Sequence, residues 1–132
     1  SIETNQALEN LDGLSGLVSI GGDLAIYENT SLADISGLSG VKEVGYSFVG
    51  LGIADSLISN VDALSSVEKA GDLSLFNNTL LSDCSGVLTL VDTVDDYEPG
   101  PSSGPAPDLE WVTNFWDLDL IWENAPGCNS IA

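Results

Sequence analysis

The 132 residues contain no histidine and no arginine, and Lys42 and Lys69 are the only basic side chains against 21 Asp and Glu, for a net charge of −19. Without imidazole there is no Ser-His-Asp or Cys-His catalytic arrangement and no His metal ligand. No glycine-rich loop carries a lysine able to cradle phosphate. Binding a phosphate backbone needs clustered cations, so nucleic acid is excluded as a partner. Anionic membrane surfaces are disfavoured for the same reason. No apolar run approaches the roughly 20 residues that cross a bilayer, and no basic segment opens the chain, so membrane insertion is not expected. A carboxylate pair for glycoside hydrolysis remains conceivable among so many acids, but it needs a cleft and a contrast in pKa. The expectation is a non-enzymatic protein without a cofactor. Self-repulsion at this charge is relieved by salt over a Debye length of roughly 8 Å, which suits a salty, divalent-rich extracellular medium. The chain opens in mid-repeat at Ser1, which suggests a mature or excised portion of a larger protein.

What the chain does have is a repeat. Shifted by 24 residues, Ile26, Asn29, Leu32, Ile35, Leu38 and Val41 fall on Ile2, Asn5, Leu8, Leu11, Leu14 and Leu17 without a gap. A second copy places Ile58, Val61, Leu64 and Val67 on Leu32, Ile35, Leu38 and Val41, with two extra residues in the Phe48–Leu57 stretch. A third places Leu73, Leu75, Asn78, Leu81, Cys84, Val87 and Leu90 on Leu24, Ile26, Asn29, Leu32, Ile35, Leu38 and Val41. A period of 20–29 residues with Leu-x-x-Leu spacing and an Asn after a short strand is the signature of a leucine-rich-repeat solenoid.

Within one unit, Gly21-Gly22 reads as a tight turn and Asp23–Tyr27 alternates with period two. Leu24 and Ile26 should therefore face the core, with Ala25 and Tyr27 facing out. Leu32, Ile35, Leu38 and Val41, spaced by three, suit a 3₁₀-like return path. Gly13, Gly37 and Gly86 recur at one position of that path, which argues for a close approach or a backbone conformation that glycine takes easily; Ala63 replaces them in the second copy. Asn5, Asn29, Asn78 and Asn124 recur once per coil, where a buried amide can bond the backbone of its own coil and of its neighbour. They are expected to form a structural ladder, with Asp55 in that place in the second copy and a local bulge in Val49–Asp55.

From Val91 the pattern fades. The expected division is residues 1–95 as about three and a half solenoid coils, 96–108 as an acidic Pro/Gly-rich exposed loop, and 109–132 as an aromatic-rich cap. Ile121-Trp-Glu-Asn124 repeats Ile26-Tyr-Glu-Asn29, so a degenerate last coil is expected there. Cys84 and Cys128 would be free thiols in a reducing cell. In an acidic extracellular repeat chain, an even count reads as one disulfide. That bridge would close a loop of about 45 residues, contribute on the order of 3–4 kcal/mol, and staple the last coil to the one before it.

The segments Ile20-Gly-Gly-Asp-Leu-Ala-Ile-Tyr-Glu-Asn29, Leu32-Ala-Asp-Ile-Ser-Gly-Leu38, Leu73-Ser-Leu-Phe-Asn-Asn78 and Asn124-Ala-Pro-Gly-Cys-Asn-Ser130 resemble the receptor L-domain type of leucine-rich repeat in microbial cell-surface proteins. The resemblance covers residues 1–95 and, in part, 117–132. It implies a mainly β, right-handed solenoid with short parallel strands and a disulfide-stapled C-terminal cap. It also implies an extracellular or cell-surface location, no catalysis, and binding of protein or glycan or a role as architecture. It says nothing of 96–116 or of the Phe48–Leu57 stretch.

Candidate sites are few. Tyr27, Phe76 and Trp122 share one repeat position and should line up along one face, either as a surface for sugar rings or a partner's apolar anchors, or as cover for the solenoid's flank. Trp111, Phe115 and Trp116 read as the core of the cap. Asp92, Asp95, Asp96 and Glu98, or Asp117 and Asp119, could offer oxygens to Ca²⁺. No twelve-residue Ca²⁺ loop is present, and a solvated acidic face is the plainer reading. Two glycosylation sequons occur, meaningful only in a eukaryotic source, of which Asn77 should face solvent and Asn29 should not. The expected function is extracellular recognition or adhesion, with a protein or glycan as partner. The alternative is a structural subunit that assembles with copies of itself into a surface fibre or layer.

Overall fold

The computed structural model describes residues 1–45, 50–87, 90, 120–122, 124 and 128, and of 120–122 the backbone alone. The acidic cluster from Asp92 to Glu98, the proline-rich stretch, Trp111, Phe115, Trp116, Asp117 and Asp119 lie outside the described residues, as do both expected boundaries beyond residue 90.

The chain is mainly β and its strands are parallel. β1 (Ile2–Glu3), β3 (Leu24–Tyr27), β5 (Leu51–Ala54), β6 (Leu73–Phe76) and β7 (Leu120–Trp122) form one sheet in that spatial order. β2 (Ser19–Ile20) and β4 (Glu43–Val44) form a second, extended by an isolated bridge from Glu43 to Lys69. Each of the first three repeats thus contributes one strand to the first sheet, a return path, and a short extended segment. The return paths of the first four repeats each hold a 3₁₀ turn: η1 (Asp12–Leu14), η2 (Ser36–Leu38), η3 (Asp62–Leu64) and η4 (Ser85–Val87). Apolar residues at spacing three favour these turns, because a 3₁₀ helix brings every third side chain back to the same side.

The core runs down the middle in columns. Leu32, Ile58 and Leu81 make one, and Leu38, Leu64 and Val87 another, none of them more than 1% exposed. Ile26, Ile53 and Leu75 line the inner face of the sheet at 0%. Cys84 occupies the column of Leu11, Ile35 and Val61, so its sulfur stands where the other coils place hydrocarbon. It pairs with the fully buried Cys128, their Cα atoms 5.3 Å apart, within disulfide reach.

Close stacking of the return paths explains two of the recurring glycines. A Cβ on Gly37 would lie 1.8 Å from the Leu11 carbonyl oxygen, and one on Gly86 would lie 2.1 Å from that of Val61. Gly13, with nothing within 4 Å of such a Cβ, has no comparable constraint.

One expectation about the second copy is corrected within the described residues. β5 runs unbroken through Leu51–Ala54 and pairs residue for residue with β3 and β6, so Leu51–Ala54 contains no bulge. The spacing changes on both sides of the strand: three residues join Ile20 to Leu24 but six join Val44 to Leu51, and four separate Tyr27 from Leu32 but three separate Ala54 from Ile58, a net gain of two. A link between two paired strands can lengthen without disturbing either register, whereas an extra residue inside a doubly paired strand would break hydrogen bonds on both sides.

Candidate functional site

The three aromatic residues of the repeat follow from strand pairing. β3, β5, β6 and β7 place Tyr27, Ala54, Phe76 and Trp122 in one row across the sheet, with Glu3 before them on β1. The Tyr27, Ala54 and Phe76 side chains leave the sheet on the face opposite Ile26, Ile53 and Leu75, as period-two alternation requires. The Tyr27 and Phe76 rings are two strands apart, yet their centroids lie 5.9 Å from each other with planes tilted by 42°. The alanine between them permits this, since a larger side chain at residue 54 would hold the rings apart. Ala54 is fully buried.

The neighbouring row is Ala25, Gly52, Ser74 and Leu120. Tyr27 lies across it: its hydroxyl is 3.5 Å from Ser74 Oγ, and a Cβ added to Gly52 would meet that hydroxyl at 2.2 Å. The expectation that Ala25 faces outward needs correction in one respect. It points away from the core but is only 7% exposed, as is Ser74. The outer face of the sheet is a floor of small residues, and tyrosine lies down on it. Tyr27 and Phe76 themselves are half-buried.

After each of the first four strands of this sheet comes a residue in the left-handed region: Thr4, Glu28, Asp55 and Asn77, with φ between 53° and 59°. This conformation costs a non-glycine residue on the order of 1–3 kcal/mol. It turns the chain so that the next side chain enters the coil. In the first, second and fourth coils that side chain is Asn5, Asn29 or Asn78, and the last described member is Asn124. Asn29 Nδ2 donates to the carbonyls of Ile2 (2.8 Å) and Tyr27 (3.0 Å), and its Oδ1 accepts the Asn5 N–H at 3.0 Å. Asn78 Nδ2 donates to Ile53 O at 3.0 Å, and Asn124 Nδ2 to Leu75 O at 2.8 Å. Asn124 Oδ1 accepts the Asn78 N–H at 3.1 Å.

In the third coil the ladder residue is Ser56, not Asp55. Ser56 is 3% exposed and donates from Oγ to Asn78 Oδ1 at 2.7 Å. Asp55 occupies the left-handed position beside it, where it accepts a hydrogen bond from Asn77 Nδ2. A carboxylate inside the ladder would lack protons for the carbonyls it faces and would be buried unpaired, whereas a hydroxyl fits without charge.

A second polar column is absent from the sequence-based expectations. Asn10, Asp34, Asn60 and Asp83 each accept, through Oδ1, the N–H two residues on, at 3.2, 2.7, 3.1 and 2.9 Å. These Asx turns start the four 3₁₀ turns. Their signal is an Asn or Asp directly before the apolar residue at Leu11, Ile35, Val61 and Cys84, which is legible once sought. The backbone N–H of Ser36 holds the Asp34 carboxyl below its ordinary pKa, and that of Ser85 does the same for Asp83.

Of the two sequons, Asn29 is fully buried in the ladder and Asn77 is exposed. Among the described residues no group of three or more His, Cys, Asp or Glu is placed to hold a metal ion. No helix among them is long and apolar enough to cross a membrane. Compared with known proteins, the chain matches no family model, no curated protein and no solved structure.

Proposed function

We propose that this chain is a non-enzymatic recognition or adhesion module of an extracellular or cell-surface protein, built as a right-handed leucine-rich-repeat solenoid of the receptor L-domain type with a disulfide-stapled C-terminal cap. The observation that carries the reading is the row Tyr27, Ala54, Phe76 and Trp122, in which two half-buried rings meet over a buried alanine. Rigid aromatic surface with a polar tip is the kind of surface that contributes most to binding per residue, because little side-chain entropy is lost. The sequence supports a binding role over catalysis, since it lacks the residues that most catalytic arrangements use. The partner is a protein or a glycan. On glycan and surface-protein arrays, Tyr27→Ala and Phe76→Ala should each weaken the wild-type signal by about tenfold or more, as loss of an interface anchor does. Signals that persist unchanged in both variants would overturn this surface as the site.

Self-assembly into a fibre or layer is the alternative. Light scattering in seawater-like salt with Ca²⁺ and then with chelator separates the two: a monomer under both conditions excludes assembly.

A further inference from the structure

Among the described residues, every charged side chain on the outer face of the five-stranded sheet and at the ends of its strands is acidic. Glu3 stands in the aromatic row itself, exposed and in register with Tyr27 on the neighbouring parallel strand, so it leaves the sheet on the same face with about 5 Å between the strands. Glu28 and Asp55 take the left-handed positions directly after Tyr27 and Ala54. Asp23 and Asp72 directly precede β3 and β6.

The lysines stand elsewhere. Lys42 directly precedes β4 and Lys69 bridges to it, beside an open groove lined by Ser19–Gly21, Glu43–Gly45 and Lys69–Gly71. Each has its own counter-charge in the adjacent coil: Lys42 lies 3.6 Å from Glu68, and Lys69 lies 3.3 Å from Glu43. The net charge of −19 is therefore unevenly placed. The region of the second sheet is locally balanced, whereas the aromatic face carries carboxylates with no described cation among them. Such a field draws cationic partners in and keeps polyanions away. Aromatic faces add a short-range attraction for a cation lying within about 6 Å of a ring centroid. An arginine guanidinium meets both demands at once, because it is flat enough to stack on a ring while its N–H groups reach a carboxylate. A neutral glycan could use the rings but would gain nothing from the field.

We propose that the partner of the aromatic row is an arginine-bearing protein segment, with a guanidinium lying on the Tyr27–Phe76 pair and Glu3 and Glu28 as its counter-charges. The proposal rests on the recognition reading and narrows its partner from a protein or a glycan to a cationic protein segment. The test is a titration of ¹⁵N-labelled protein at 150 mM NaCl with a twelve-residue peptide of alternating glycine and arginine, and with the same peptide carrying citrulline, which keeps the shape and removes the charge. Amide shifts should concentrate at the C-terminal ends of β1, β3, β5 and β6 with the arginine peptide and be absent with the citrulline peptide. Tyr27→Ala should weaken binding by about tenfold. The double variant Glu3→Gln/Glu28→Gln, at two exposed positions, should also weaken it by about tenfold without lowering the unfolding midpoint. Glu9→Gln/Asp12→Asn, an equal change of charge at exposed positions of the return path, should leave binding within about twofold of wild type. Equal losses in the two double variants, or shifts spread around the coils, would mean diffuse attraction to the net charge and would overturn the proposal. Equal binding of the citrulline peptide would overturn it as well. If neither peptide binds while array signals still fall in Tyr27→Ala, the arginine segment is wrong and the recognition reading stands; if the array signals also persist in Tyr27→Ala and Phe76→Ala, both fall.

Discussion

Replacing Asn29 with alanine strips a fully buried site of its amide and leaves the carbonyls of Ile2 and Tyr27 and the N–H of Asn5 without their partner. Buried groups left unpaired cost about 1–3 kcal/mol each, and partial relaxation reduces the sum. The expected loss is on the order of 3 kcal/mol, read from urea unfolding. Asn29→Asp should be no better, because a carboxylate cannot donate to either carbonyl. The ladder position is legible from sequence wherever asparagine fills it, because a repeated asparagine marks itself. In the third coil it is not, since Ser56 is as common a residue as any on the surface. Only the left-handed turn at Asp55 shows that the ladder position lies one residue further along.

The 3₁₀ turns begin on side-chain caps, and the two kinds of cap differ in how they respond to acid. The bonded carboxylates of Asp34 and Asp83 have pKa values below the ordinary range. A carboxyl whose folded pKa is lowered contributes stability above its unfolded pKa of about 4 and loses that contribution as pH falls through the folded value. Asn10 and Asn60 make the same bond without titrating. The double variant Asp34→Asn/Asp83→Asn should therefore lose less stability than wild type between about pH 5 and pH 2, as measured by urea midpoints. Equal acid sensitivity would show that these caps do not contribute to it. At the scale of elements, the apolar spacing of three predicts the return path and period two predicts the strands. The place of the added length in the second copy is not legible in the same way, because matching residue types across a gap does not locate the gap. Strand register does: three residues are gained between Val44 and Leu51 and one is lost between Ala54 and Ile58.

For the whole molecule, charge matters in a way that no single contact explains. The two ion pairs are exposed, and pairs of that kind contribute little. Most of the 21 acids have no cation to meet. Added salt should raise the unfolding midpoint between about 10 and 150 mM NaCl, as the Debye length shrinks from roughly 30 to 8 Å. A flat response would mean that the acids already lie far enough apart. Composition and period determined a great deal by themselves: a mainly β chain with parallel strands, the inward-facing residues, the asparagine ladder and the lack of histidine chemistry. These follow from side-chain type and spacing, which repeat stacking copies from one coil to the next. The tertiary structure alone decided what lies between coils. It laid Tyr27 over Gly52 and against Phe76, gave the third ladder position to Ser56, and opened a groove beside the only two lysines. Each of these joins residues far apart in sequence, and their distance in space depends on link lengths and small side chains that a repeat pattern leaves free to vary.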